Sequence, residues 1–204
     1  MIETLFGKTI YSNKLDVDTS KIISTSTLFR KSNNIYRAKT DEQNLHVLNN
    51  KKLCDLKDVI VNELYKYLHG ILNYTNEFYI TTSWFTEVEP NEESQFHNHT
   101  NSFVSGVLYL QTTDKCGDII FRNFSNERFD LEATNYNILN SRAWSYKPEN
   151  GLILIFPSEL YHKVEKNKSK EKRHSLAFNV IPKGTIGFSD GDSHMIIKWN
   201  IQNI

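Results

Sequence analysis

Between residues 77 and 182, aromatic and β-branched runs alternate with clusters of turn residues. The runs are EFYITTSWFTEVEP (77–90), SQFHNH (94–99), FVSGVLYLQ (103–111), GDIIFRNF (117–124), AWSYKP (143–148), LILIFP (152–157), LYHKVEK (160–166) and RHSLAFNVIP (173–182). Each has the length and composition of a strand. Between them, NEE, TDKCG, PENG and KNKSKEK act as turns. Many short strands at this spacing predict a sandwich, jelly roll or barrel. Upstream, LFGKTIYSNKL (5–15) reads as one more strand. Residues 54–74 place apolar side chains at 56, 59, 60, 64, 67, 68, 71 and 72, the spacing of an amphipathic helix. Gly70 should weaken its last turn. The helix is expected to cover one sheet from outside. The tail after Gly184 is expected to pack back through Ile196, Ile197 and Trp199. The whole chain, 1–204, is expected to form a single domain: a β core over about 78–182, an N-terminal strand and helix (1–77) and a C-terminal tail (183–204).

Composition narrows the function classes. The 204 residues carry 24 basic and 24 acidic side chains, so there is no basic surplus to favour nucleic acid as the main partner. The basic stretch KNKSKEKR (166–173) has the character of a solvated turn. No apolar run approaches the roughly 20 residues of a membrane helix, and the N-terminus lacks the pattern of a secretory leader. Two cysteines, Cys54 and Cys116, are too few for a disulfide framework and too far apart for a local metal motif. A reduced, cytoplasmic protein is expected (in the host cytoplasm, if phage-encoded). The DGD triplet at 190–192 lacks the rest of a calcium loop and reads as a turn. His46 and His69 read as ordinary surface or packing histidines.

Chemistry enters at QFHNHT. Side chains alternate faces along a strand, so His97 and His99 point the same way, with bases about 7 Å apart. Two imidazoles so placed can converge on one metal ion. Alone the pattern is weak. His162 adds weight, because it follows the fully apolar LILIF and a buried polar group needs a partner. Eleven residues later, RHSLAFN carries Arg173, Ser175, Ala177 and Asn179 on one face. His174, Leu176, Phe178 and Val180 lie on the other, the packing face. On the small, polar face the Arg173 guanidinium could clamp a carboxylate. This strand is expected to fold back beside the one bearing His162, with His162 opposite an odd-numbered residue such as Ser175.

Taken in order, H-x-H, SGVLYL, GDIIF, LILIFPSELYHKV and RHSLAFN resemble the 2-oxoglutarate- and Fe(II)-dependent oxygenases. The similarity is greatest to small, prolyl-hydroxylase-like oxygenases of bacteria and phages and spans roughly residues 78–182. It implies a mainly β fold with a flanking helix, the cupin-like jelly roll called the double-stranded β-helix. It also implies that His97, His99 and His162 ligate Fe(II) as the catalytic centre, and that Arg173 and Tyr109 hold the far carboxylate of 2-oxoglutarate, with Ser175 completing an R-x-S pattern. Trp84 and Ser105 fall in the pocket wall or core. One departure stands out. Most of the superfamily has a carboxylate in the second position of the paired motif, whereas here all three ligands are histidines. The ion's double charge would then stay unneutralised, which should tighten binding of a dianionic co-substrate. A carboxylate such as Glu93 substituting for one histidine is the alternative.

The expected activity is oxidative decarboxylation of 2-oxoglutarate to succinate and CO2, coupled to hydroxylation of a C–H bond, with dioxygen as co-substrate and ascorbate as a supporting reductant. The substrate is expected to be a small molecule or a peptide, its choice set by loops 90–95, 111–117 and 124–150. Two other readings fit the residues: a three-histidine cupin-type dioxygenase that needs no 2-oxoglutarate, and a non-catalytic jelly-roll binding module.

Overall fold

The structure, a computed structural model, describes residues 3, 5–25, 30–31, 45–124, 131–188 and 191–198. Its strands are β1 (Tyr11–Lys14), β2 (Arg30–Lys31), β3 (Glu77–Val88), β4 (Val104–Gln111), β5 (Ile119–Arg122), β6 (Ala143–Tyr146), β7 (Leu152–Pro157), β8 (Tyr161–Val164), β9 (Arg173–Ile186) and β10 (Met195–Ile197). Helix α1 spans Thr19–Ser24. Helix α2 spans Cys54–Tyr65 and widens into a π-helical stretch, Lys66–Ile71, that contains Gly70. Among the described residues no helix is long and apolar enough to cross a membrane.

Two sheets face each other. The large one runs β1-β7-β4-β9-β3-β2, with β10 paired to β9, and the small one runs β6-β5-β8. This is the double-stranded β-helix. The large sheet sorts its side chains by parity. Leu176, Phe178 and Val180 of β9 join Leu108 and Leu110 of β4, Ile153 and Ile155 of β7, and Phe85 of β3 on one face. Helix α2 covers that face with Leu56, Ile60 and Leu64, and the π-helical stretch adds Tyr67 and Leu68. The opposite face meets the small sheet, where Tyr109, Leu154 and Phe156 pack on Ile119 and Phe121. Two of the periodic apolar positions at the helix end, Ile71 and Leu72, stay outside the buried set, and Ile71 is exposed.

The polar end of α2 is tied to the sheet edge. Buried Glu63 accepts from the Tyr11 hydroxyl at 2.5 Å and from Asn13 Nδ2 at 2.8 Å, and it pairs with Lys66. Burial and this carboxylate push the Tyr11 phenol up to about 12.

Seven of the eight expected core strands form. The eighth, SQFHNH, makes only a bridge, His97 to His162, although it runs beside β8. In LFGKTIYSNKL only Tyr11–Lys14 is strand. In the tail, Met195–Ile197 pairs with β9, Ile196 is exposed, and Trp199 lies outside the described residues, as does Asp190 of the DGD triplet.

One expected pairing is wrong. β9 does not lie beside β8: the basic turn carries the chain from the small sheet across to the large one. His162 pairs with Phe121 of β5 and with His97, whereas Ser175 pairs with Thr86 and Tyr109. The turn can cross because it is pinned internally. Asn167, fully buried, donates through Nδ2 to the Val88 carbonyl at 3.1 Å and the Glu171 carbonyl at 2.7 Å, while its Oδ1 accepts from Ser169.

Gly106 sits where β4 crosses Phe178 of β9, its direct partner. A Cβ there would lie 2.1 Å from Phe178 Cζ, so the ring fills the space a side chain would take. Gly106→Val should therefore destabilise the fold by about 1–3 kcal/mol through overpacking. Urea titration should show a lower midpoint, and Phe178→Leu in the same chain should recover part of the loss.

Candidate metal centre and anion pocket

The pocket floor is built by cross-strand rows on the inner face of the large sheet. Arg173 pairs with Val88, Ser175 with Thr86 and Tyr109, Ala177 with Trp84 and Val107, and Asn179 with Thr82 and Ser105. Most of these side chains line a cavity of about 550 Å³ that also contains His97, His99 and His162. That volume is in the usual range for small-ligand sites, roughly 300–1,000 Å³.

The three histidines arrive from two elements. Segment 94–99 runs antiparallel to β8: His97 N donates to the His162 carbonyl at 3.0 Å, and His162 N donates back at 2.9 Å. Farther along, His99 N donates to the Ser158 carbonyl at 2.9 Å. The expected parity holds, with both imidazoles turned into the cavity. One potential ligand atom from each of the three rings lies within 4.8 Å of the other two. Among the described residues this cluster includes no carboxylate, and Glu93 is not part of it.

Each ring is oriented from behind. His97 Nδ1 donates to the Gln95 carbonyl at 2.8 Å and His162 Nδ1 to the Leu160 carbonyl at 2.9 Å. A carbonyl only accepts, so both rings carry a proton on Nδ1, which leaves Nε2 as the ligand atom of the neutral ring. His99 Nδ1 contacts Asn179 Oδ1 at 2.6 Å and Ser105 Oγ at 2.9 Å. Asn179 is itself fixed, since its Nδ2 donates to Thr82 Oγ1 at 3.1 Å, and Ser105 bonds the buried Ser158 hydroxyl at 2.7 Å. Such outer partners set ring orientation and ligand basicity in metal sites. The sequence reading put Asn179 on the pocket face and Ser105 in the wall or core, but missed that together they orient His99. The available signal was a run of polar residues at buried positions of apolar strands.

His162 is buried against Phe121 and Phe156, with ring centroids 5.7 and 4.9 Å away. Burial, reinforced by His97 and His99, holds its imidazole well below the usual range. It therefore stays neutral, the form that can donate a lone pair.

At the other end of the cavity lies Arg173, 1% exposed. Its Nη1 donates to the main-chain carbonyls of Cys116 at 3.1 Å and Gly117 at 3.0 Å. Its Nε is buried without a hydrogen-bond partner, and so is the hydroxyl of Tyr109. Among the described residues no carboxylate lies within ion-pair distance of Arg173. Burial lowers the affinity of this guanidinium for its proton and raises the phenol's. Two unsatisfied donors and an uncompensated positive charge in one pocket end are costly unless an anion joins them. Ser175, one step along the same face, is buried beside them. His174 points the other way, to Glu87 at 3.0 Å, so the expected sorting of that strand holds.

A double-stranded β-helix with a histidine cluster between its sheets and a buried arginine behind it is the architecture of the 2-oxoglutarate- and Fe(II)-dependent oxygenases. Residues 82–179, which contain the three histidines and Arg173, match the model of the family described as "Putative 2OG-Fe(II) oxygenase". Solved structures share the fold at low identity. A prolyl hydroxylase from Trichoplax adhaerens, in complex with a hypoxia inducible factor oxygen degradation domain peptide fragment, is 12% identical, with 85% of this chain and 83% of that one covered and a TM-score of 0.57. The viral collagen prolyl hydroxylase of Paramecium Bursaria Chlorella virus-1, as its 2OG complex, is 12% identical, covering 85% and 96% with a TM-score of 0.53. An oxidoreductase of the 2OG-Fe(II) oxygenase family from Burkholderia pseudomallei is 11% identical, covering 85% and 71% with a TM-score of 0.51. No curated protein matches by sequence.

The neutral state of His162 has a consequence for stability. Its pKa is lower in the folded chain than the roughly 6.5 of an unfolded one, so the unfolded state takes up the proton first as pH falls. Stability of the metal-free protein should decline as pH drops below about 6.5. Thermal melts from pH 7.5 to 5 should show that decline, and His162→Phe should make it shallower.

Proposed function

We propose that this protein is an Fe(II)- and 2-oxoglutarate-dependent oxygenase that hydroxylates a C–H bond, with His97, His99 and His162 as the metal ligands. The observation that carries the proposal is the pairing, in one cavity, of a three-histidine cluster with the unsatisfied donors of Arg173 and Tyr109. The first suits a divalent transition metal held on one side only. The second suits the far carboxylate of a dicarboxylate. Arg173 Nε and the Tyr109 hydroxyl would each gain an acceptor, and Ser175 would flank them. Bound iron supplies the activation of dioxygen. The chain's own part is to hold and orient: Nδ1 contacts lock the imidazoles, the Cys116 and Gly117 carbonyls aim the guanidinium, and Phe121, Phe156 and Leu154 keep water from the inner wall. The substrate is a small molecule or a peptide side chain, and the chain works in the cytoplasm as one domain.

A dioxygenase without 2-oxoglutarate would leave the buried guanidinium with no counter-charge, and a simple binding module would have no use for three aligned imidazoles. Both readings are weaker for those reasons.

Anaerobic titration with Fe(II) and 2-oxoglutarate should give the weak visible charge-transfer band of the chelate, and oxygen with ascorbate should then release succinate. Arg173→Ala should weaken 2-oxoglutarate binding more than about tenfold, as expected from losing a charge-assisted bond of roughly 1.5–3 kcal/mol, while Fe(II) binding hardly changes. His174→Gln should leave co-substrate affinity near that of the parent. Absence of succinate from a protein that binds Fe(II) would sink the proposal. A separate titration tests the oriented imidazole: Asn179→Ala should lower metal affinity about 10–100-fold, the usual cost of removing an outer partner.

A further inference from the structure

Beyond β8, the small sheet has an open edge among the described residues. Segment 94–99 lies on the free side of β8, and the His97–His162 pair uses up the main-chain groups of His97. Antiparallel geometry turns the N–H and C=O of the flanking residues, Phe96 and Asn98, away from β8. Among the described residues no main-chain group pairs with them. Both residues line the mouth of the cavity.

Over this edge hang two cations. Lys163 Nζ of β8 lies 5.3 Å from the centroid of the Phe96 ring. The Arg122 guanidinium of β5 lies 6.0 Å from the same ring and 5.1 Å from that of Phe124. Phe124 packs edge-on against Phe96 and Tyr161, at 5.4 and 5.2 Å, and both Phe124 and Tyr161 are exposed. Among the described residues neither Arg122 nor Lys163 forms an ion pair with a carboxylate. The aromatic rings therefore hold two positive heads at the edge next to the histidine cluster, outside the pocket. Within the cavity the positions away from Arg173 and the histidines are neutral: Thr82, Thr86, Gln95, Asn98 and Thr100 alongside Trp84.

We infer that the edge at Ser94–His99 takes an extended, acidic polypeptide segment as an added strand, and that such a segment is the substrate class of the adjoining site. The added strand would bond the main chains of Phe96 and Asn98. Alternate side chains of a strand face opposite ways, so one set would carry acids to Arg122 and Lys163 while the other offers a neutral side chain to the cavity. An oligonucleotide could engage the cations and rings, but it has no peptide groups to complete the edge. The docking stands on the edge and its charges. The chemistry on the docked segment rests on the oxygenase reading.

The test uses the full chain, immobilised, without metal or 2-oxoglutarate. Two libraries of capped nonapeptides are offered, one with Asp or Glu fixed at alternate positions and one with Lys there, together with oligo-dT. The acidic library should be retained at least tenfold over the basic one, and Arg122→Ala/Lys163→Ala, whose side chains support no core contact, should abolish that preference. The best-retained peptide is then made with single N-methyl groups. Binding should fall at least tenfold at every second position and persist between them, the signature of strand addition. Equal retention of the two libraries, tolerance of N-methylation throughout, or retention of oligo-dT above the acidic peptides overturns the inference. A chain that releases succinate but retains neither library leaves the oxygenase reading intact and removes this one. A chain that binds acidic peptides with the period-two pattern but never makes succinate does the reverse.

Discussion

The site depends on a single constraint, that β9 must serve two environments at once. Leu176, Phe178 and Val180 seal the large sheet under α2, and Arg173, Ser175, Ala177 and Asn179, small or polar, floor the cavity. A shift of one residue would exchange the two sets. The guanidinium would then leave the cavity for the packing face, and Phe178 would turn toward the histidines. Burial of Leu176, Phe178 and Val180 fixes the register, and the same register puts Arg173 behind the histidine cluster. Stability and function thus share one strand, and Gly106, which gives Phe178 its place, belongs to the site although it carries no chemistry.

Much of this was legible in the chain. The period-two sorting of RHSLAFNV, the shared face of His97 and His99, and the spacing of Leu56, Ile60, Leu64 and Leu68 each follow from local geometry and reappear in the fold. What could not be read was partnership between distant segments. That β8 and β9 lie in opposite sheets depends on whether a short basic turn folds back or crosses over, and lysines on its surface are silent on that. Asn167 decides it by bonding the chain on both sides, a role its sequence neighbourhood does not reveal. The orienting group of Asn179, Ser105 and Ser158 was hidden for the same reason, since the three residues meet only after strands from three places pair. SQFHNH has strand composition, but it forms one bridge because the chain must bend on either side to bring two imidazoles beside a third.

The cluster differs electrically from a site with one carboxylate ligand. Imidazole ligands bring no negative charge, and the nearby guanidinium adds a positive one. With a divalent ion on the histidines, both ends of the cavity would call for anions, and a molecule with a carboxylate at each end would answer both. Neutral cavity walls between these ends and the mouth leave selection among substrates to shape and hydrogen bonding inside, and to the cations outside.

The anchoring of Arg173 by the carbonyls of Cys116 and Gly117 has a further meaning. Main-chain oxygen is the same in every residue, so the turn that aims the guanidinium can change its exposed side chains, Asp114 and Lys115, while its path is kept. That path demands Gly117, whose φ is +83° and where a Cβ would lie 2.4 Å from the Glu165 carbonyl oxygen, and a small residue at the buried Cys116. Sequence drift in this turn is therefore nearly invisible to the anion end of the cavity. The exposed part of the loop could be rewritten, by evolution or by an engineer, without loss of the hold on the guanidinium.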